Sequence, residues 1–173
     1  MARPRFHILA TAPFAWGAYR RWGLSPALGM LASGIFVDLD HLVDYAWVRF
    51  YGQRSHFLAP LHAWELVVLG GAFAVWSRWL RCNGDAPSSE AVERQPSALR
   101  AALSRTWAQG LATGLAAGLF VHLVQDVLTN RPRHAGVYAL AYRVAHRFRR
   151  DRIGWEHHGA FHDWSGRPWY TWI

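Results

Sequence analysis

The sequence predicts an all-α fold: an antiparallel bundle of four main helices, then a basic amphipathic C-terminal helix and an irregular tail. Four helix-length apolar segments occupy roughly 6–21, 25–46, 57–81 and 100–129, separated by Gly, Pro and polar breaks. No stretch alternates with the period of two that a half-buried strand needs, and no internal repeat is visible. Each of the four segments also carries an acid or a histidine toward one of its ends.

The first helix begins near Phe6 and ends at the Trp22-Gly23 step, where Pro26 sits in the first turn of the next one. The second runs through PALGMLASGIFVDLDHLVDYAW and stops before Gly52. Pro60 opens the third, and the polar, Ser/Pro/Ala-rich stretch 82–98 reads as a flexible linker. The fourth is ended by Pro132, and Gly110, Gly114, Gly118, His122 and Asp126 recur along it every four residues. Glycines at that spacing allow a neighbouring helix to approach closely. Residues 1–130 thus form the helical region, and 131–173 a basic amphipathic segment (about 135–150) with a Trp/His-rich tail.

Arm lengths place the polar residues in one layer. His7 lies 15 residues before Trp22, and Asp40 lies 15 after Ser25. His62 stands 20 before Cys82, and His122 stands 22 after Arg100. If consecutive helices fold back as hairpins, equal arms mean equal depth. His7, Asp38, Asp40, His41, Asp44, His62, Glu65, His122 and Asp126 then meet at one end.

Composition narrows the chemistry. A single cysteine, Cys82, excludes an intrachain disulfide framework and a thiolate-rich zinc site. The net charge of +8, carried by arginine with no lysine, favours anionic partners such as acidic lipid headgroups or phosphate esters. No nucleic-acid-binding motif accompanies that charge. The uncharged stretches Leu24–Val37, Leu66–Ser77 and Thr106–Val121 are each shorter than the roughly 20 apolar residues of a membrane span, which leaves a soluble helical enzyme open. Trp22, Trp76, Trp79 and Trp107 nevertheless coincide with Arg20, Arg21, Arg78, Arg81 and Arg105 at the end opposite the site. That pairing marks a bilayer boundary and favours an integral membrane protein with its ionisable groups facing inward.

The site inventory is imidazole and carboxylate. His122/Asp126 (i, i+4) and His62/Glu65 (i, i+3) each share a helix face, as do Asp38/His41 and Asp40/Asp44. With His7 added, this donor set suits a divalent metal: zinc, with manganese or iron as alternatives. Metal at such a site activates water for hydrolysis. Glu65 or Asp44 is the expected proton acceptor, while some carboxylates instead orient the histidines from behind. The competing expectation is non-catalytic: a membrane protein whose buried His/Asp cluster binds metal or fixes helix register.

GIFVDLDHLVDY resembles the PDxDH motif of the bacterial inner-membrane metal-dependent hydrolases, and FVHLVQDVLT is similar to their SHxxxD motif. The resemblance implies a multi-pass inner-membrane hydrolase whose metal site uses Asp38, Asp40, His41, His122 and Asp126. His7 takes the place of an N-terminal family histidine, and His62 that of the histidine in a middle HRxxTHS motif. Val37 stands where the first motif has proline and Val121 where the second has serine, and the HRxxTHS string itself is not present. A more distant similarity, in chemistry only, is to zinc-dependent phospholipase C. The expected substrate is a small molecule or lipid, a phosphate ester or a lipid-linked compound. Arg143, Arg147, Arg149, Arg150 and Arg152 are expected to lie on anionic lipid.

Overall fold

The protein, seen in a computed structural model, is described over residues 4–51, 56–83, 96–130, 132 and 134–154. Among these residues the fold is all-α. Helix α1 is Pro4–Trp22, α2 Leu24–Phe36, α3 His41–Tyr51, α4 Trp64–Asn83 and α5 Pro96–Asn130, followed by the short helices α6 (Leu140–Ala145) and α7 (Arg150–Ile153). Gly23, with φ of 90°, makes the turn between α1 and α2 in a backbone conformation that favours glycine. The expected linker falls largely on 84–95, and the His157/His158/His162/Asp163 tail lies wholly beyond 154; both are outside the described residues.

Helix α5, at 35 residues, is the common partner of α1, α2 and α4, and α1 also packs on α2. The α2–α5 contact is the closest because small residues meet there. A methyl group at Gly114 would collide with the Pro26 carbonyl, one at Gly118 with the Met30 carbonyl, and one at Gly29 with the Leu111 carbonyl. The four-residue glycine row read from the sequence is therefore the face on which α2 lies.

Two local departures from the sequence expectation decide where the site forms. The second segment is not one regular helix: residues Val37–Asp40 tighten into a 3-10 turn between α2 and α3. Third-residue spacing in that turn aligns Asp38 with His41. The third helix starts at Trp64 rather than near 57, so His62 stands on an irregular segment, 56–63. Ala59, at φ of 27°, cannot continue a helix, and the segment's backbone groups bond elsewhere. Asp44 accepts from Leu58 N–H at 2.6 Å and Asp40 from Leu61 N–H at 2.6 Å, while Arg143 donates to the carbonyls of Leu58, Ala59 and His62 at 2.5, 2.9 and 2.7 Å. Side chains from three other elements, the 3-10 turn, α3 and α6, thus replace helical hydrogen bonds.

The stretch expected as one amphipathic helix breaks up as well. It forms a 3-10 turn (Ala135–Tyr138), α6 and α7, because Arg147 and Phe148 adopt left-handed backbone angles of 55° and 57°. Val137, Tyr138 and Ile153 from this stretch share a buried cluster with Val37, Phe57, Ala59, Leu119 and Leu123. Arg143 is fully buried and Arg150 donates to the His56 carbonyl at 2.9 Å, so these two arginines of the basic stripe face inward.

Polar side chains are buried beside that apolar cluster: His7, Thr11, Asp40, Asp44, His62, His122, Asp126 and Arg143 are covered, while Leu9, Phe14, Trp16, Trp22, Phe50, Val68, Val75, Trp76, Trp79 and Leu128 are exposed. Two stretches, Leu24–Tyr51 and Thr106–Thr129, are long and apolar enough to cross a membrane. Only 33% of the second is buried inside the fold, whereas the core helix of a soluble protein is mostly covered.

Candidate metal centre

The start of α1, the turn after α2, the start of α3, the segment before α4 and the end of α5 bring six polar side chains together: His7, Asp38, His41, His62, His122 and Asp126. His122 and Asp126 share a face one helical turn apart on α5. The imidazole of His122 is fixed by the backbone opposite: its Nδ1 lies 3.1 Å from the Gly34 carbonyl. A carbonyl only accepts, so Nδ1 carries the hydrogen and the neutral ring keeps its lone pair on Nε2. His62 is oriented in the same way, with Nδ1 2.9 Å from Asp40 Oδ1, while the other oxygen of Asp40 accepts from Leu61 and His62 N–H.

Both Nε2 atoms point at each other, 3.0 Å apart. Two imidazole lone pairs at that distance repel unless a proton or a cation lies between them. Carboxylate oxygens complete the ring. Asp38 Oδ1 is 3.4 Å from each Nε2, and Asp126 Oδ2 is 3.3 Å from that of His62 and 3.7 Å from that of His122. Donors around a tetrahedral zinc at about 2.0–2.1 Å stand roughly 3.3 Å from one another. The five nitrogen–nitrogen and nitrogen–oxygen separations, 3.0–3.7 Å, lie near that edge length, so the residues fit a divalent cation.

The cluster is larger than these four donors. His41 Nε2 is 3.8 Å from Asp38 Oδ1, and its Nδ1 is 3.5 Å from Asp44 Oδ2. His7 Nε2 faces the second oxygen of Asp38 at 3.5 Å and that of Asp126 at 3.6 Å. His7 is buried, and among the described residues neither of its ring nitrogens makes a hydrogen bond. Two three-residue groups, His7/His122/Asp126 and Asp38/His41/His62, each keep their donor atoms within 4.8 Å of one another. The shortest separations cross between the groups, which makes them one contiguous site.

The electrostatics also call for positive charge. Asp38, Asp40 and Asp126 crowd His62, which lies outside both apolar stretches. Burial favours the neutral ring, but hydrogen bonding to Asp126, Asp38 and Asp40 outweighs it and holds the His62 pKa well above its ordinary value. A bound cation replaces that proton as the counter-charge.

Of the sequence-predicted residues, the structure brings His7, Asp38, His41, His62, His122 and Asp126 into mutual reach. Asp40 stands behind His62, and Asp44 behind His41 and Leu58. Glu65 is directed elsewhere: its two oxygens accept from Leu140 and Ala141 N–H, each at 2.8 Å. Two contributors were not foreseen. Gly34 lends its carbonyl to His122, and its missing side chain lets Thr11 pack against it. Arg143 holds the segment that carries His62; burial lowers its pKa, opposed by Asp40, Asp44 and Glu65. The lone arginine in the apolar run LAYRVA was the available signal for Arg143. No family model, curated protein or solved structure matches the chain.

Proposed function

We propose that this chain is a membrane-embedded, metal-dependent hydrolase acting on a lipid-linked phosphate ester. The observation that carries the proposal is the opposed pair of Nε2 atoms, locked inward by Gly34 and Asp40 and ringed by Asp38 and Asp126. The same motif residues support kinship with the inner-membrane metal-dependent hydrolases. The exposed large apolar side chains, the buried ionisable groups and the two apolar stretches support embedding, with the multi-pass topology of that family.

His62, His122, Asp38 and Asp126 would hold the cation. A nitrogen and oxygen donor set without thiolate favours zinc, with manganese or iron as substitutes. Bound there, such a cation supplies a Lewis acid for a phosphoryl oxygen and acidifies water. Asp38 and His41 are the least covered members of the cluster, with side chains 20% and 12% exposed, so substrate enters past them. His41, backed by Asp44 on its Nδ1 side, is placed to take the proton from attacking water. Asp44 then acts through His41 rather than on the substrate.

A groove of about 740 Å³, which extends along α5 from Thr113 to Leu128 and is lined mostly by apolar residues, suits the lipid portion. On α5 the interval Thr113–Leu128 spans roughly 22 Å at 1.5 Å per residue, which accommodates an extended acyl chain. The net charge of +8 draws the anionic headgroup and anionic lipids to the same surface.

One observation favours the non-catalytic alternative: a proton on His62 Nε2 would turn the 3.0 Å contact into a hydrogen bond of a packing network. The two unsatisfied nitrogens of His7 weigh against it, because a network that exists only for packing would satisfy them. Purified protein in detergent, loaded with zinc, is expected to release phosphate from phospholipid monoesters. His122→Ala is expected to abolish both release and bound zinc while keeping the helical circular dichroism. Wild-type protein that binds zinc stoichiometrically but hydrolyses no member of a phosphate- and acyl-ester panel would overturn the hydrolase assignment.

A further inference from the structure

We propose that the centre holds two divalent cations, bridged by the carboxylates of Asp38 and Asp126. This rests on the metal-dependent function proposed above and extends it from one ion to two.

The division of the carboxylate oxygens carries the proposal. Asp38 turns Oδ1 toward the Nε2 atoms of His62 and His122 and Oδ2 toward His7, 3.5 Å away. Asp126 does the same with its oxygens exchanged: Oδ2 serves His62 and His122, and Oδ1 stands 3.6 Å from His7. Both aspartates therefore offer one oxygen to each of two positions. The first position has two nitrogens and two oxygens; the second has His7 Nε2 with one oxygen from each bridge. Donor separations of 3.5 and 3.6 Å at the second position are close to the tetrahedral edge of about 3.3 Å.

Ring orientation separates the two positions independently. His62 and His122 meet edge-on, with ring planes at 73°, so their in-plane lone pairs converge between the facing Nε2 atoms. His7 and His122 instead stack, 15° from parallel with centroids 3.9 Å apart. An imidazole lone pair lies in the ring plane, so near-parallel rings direct theirs into separate planes and cannot both aim at one ion. A second ion beside His7 also gives its buried Nε2, which makes no hydrogen bond among the described residues, a role that a single-metal site leaves empty.

The second position has three protein donors, His7 Nε2 and one oxygen from each aspartate, and the first has four.

The test uses the full chain in detergent, stripped with chelator and titrated with Mn(II) alone. Bound manganese is counted by mass spectrometry and its spin state read by electron paramagnetic resonance. Wild type is expected to bind two equivalents with an exchange-coupled spectrum. His7→Ala is expected to bind one, with the hyperfine-split spectrum of an isolated ion and unchanged helical circular dichroism. One equivalent and an isolated-ion spectrum in wild type would overturn the second ion while leaving the single-metal function standing. No manganese bound in wild type would overturn both. Two equivalents retained in His7→Ala would overturn the placement of the second ion beside His7.

Discussion

Helix α5 is held by opposite means along its length. At Gly114 and Gly118 it meets the backbone of α2, with no room for even a methyl group. One turn farther, from His122 to Asp126, it faces a layer fixed by polar side chains reaching across to backbone groups: Asp40 and Asp44 to amides of the 58–62 segment, and Arg143 to its carbonyls. The first region depends on residue size and the second on hydrogen-bond satisfaction. The difference shows how a chain can bring charged groups close together on an apolar helix: a glycine interface sets the spacing rigidly, and the polar layer is then completed by elements that need not be helical.

The largest expected effect breaks the first region. Gly114→Val places branched carbon where the Pro26 carbonyl stands, and both clashing groups belong to backbone that cannot turn aside. Overpacking of this kind costs about 3 kcal/mol or more. Thermal unfolding in detergent should show a collapse of stability, with metal binding lost as a consequence. A stable Gly114→Val protein would mean that α2 and α5 are not in contact there.

A somewhat smaller effect is expected from breaking the second region at Arg143→Lys. The buried guanidinium serves three carbonyls on one segment, a fork that an ammonium on a flexible stem cannot reproduce. Leaving buried carbonyls unpaired costs about 1–3 kcal/mol each when relaxation is incomplete. Because the loosened segment carries His62, metal affinity should fall together with stability, whereas a distant destabilising change should leave affinity intact in the folded fraction. Calorimetric zinc titration beside a melting curve separates the two; unchanged affinity would remove Arg143 from the support of the site.

The contrast also explains what the sequence could disclose. The glycine row, the four helical segments and the common depth of His7, Asp38, His62 and His122 all follow from period and length, which are properties of the local chain. The 3-10 turn at Val37–Asp40 and the irregular segment under His62 do not, because they exist only where Asp40, Asp44 and Arg143 take over backbone hydrogen bonds from afar. Arg143 therefore read as one member of a surface stripe, although it is fully buried. His62 and Glu65, three residues apart, read as one helical face because the start of α4 was set too early; they diverge once Trp64 begins the helix.

Glu65 gives the smallest effect and the sharpest distinction. It binds the amides of Leu140 and Ala141, at the start of the helix that carries Arg143, so it braces the polar layer from outside. Glu65→Gln keeps one accepting oxygen but turns an NH2 group toward a backbone donor. The site is only partly covered, so the loss should be about 1 kcal/mol. Melting temperature should fall slightly, while metal stoichiometry and kcat remain those of wild type. A proton acceptor would behave in the reverse way: stability kept, metal kept, and turnover lost. A collapse of kcat at unchanged melting temperature would return Glu65 to the reacting centre and require a movement that frees it from the two amides.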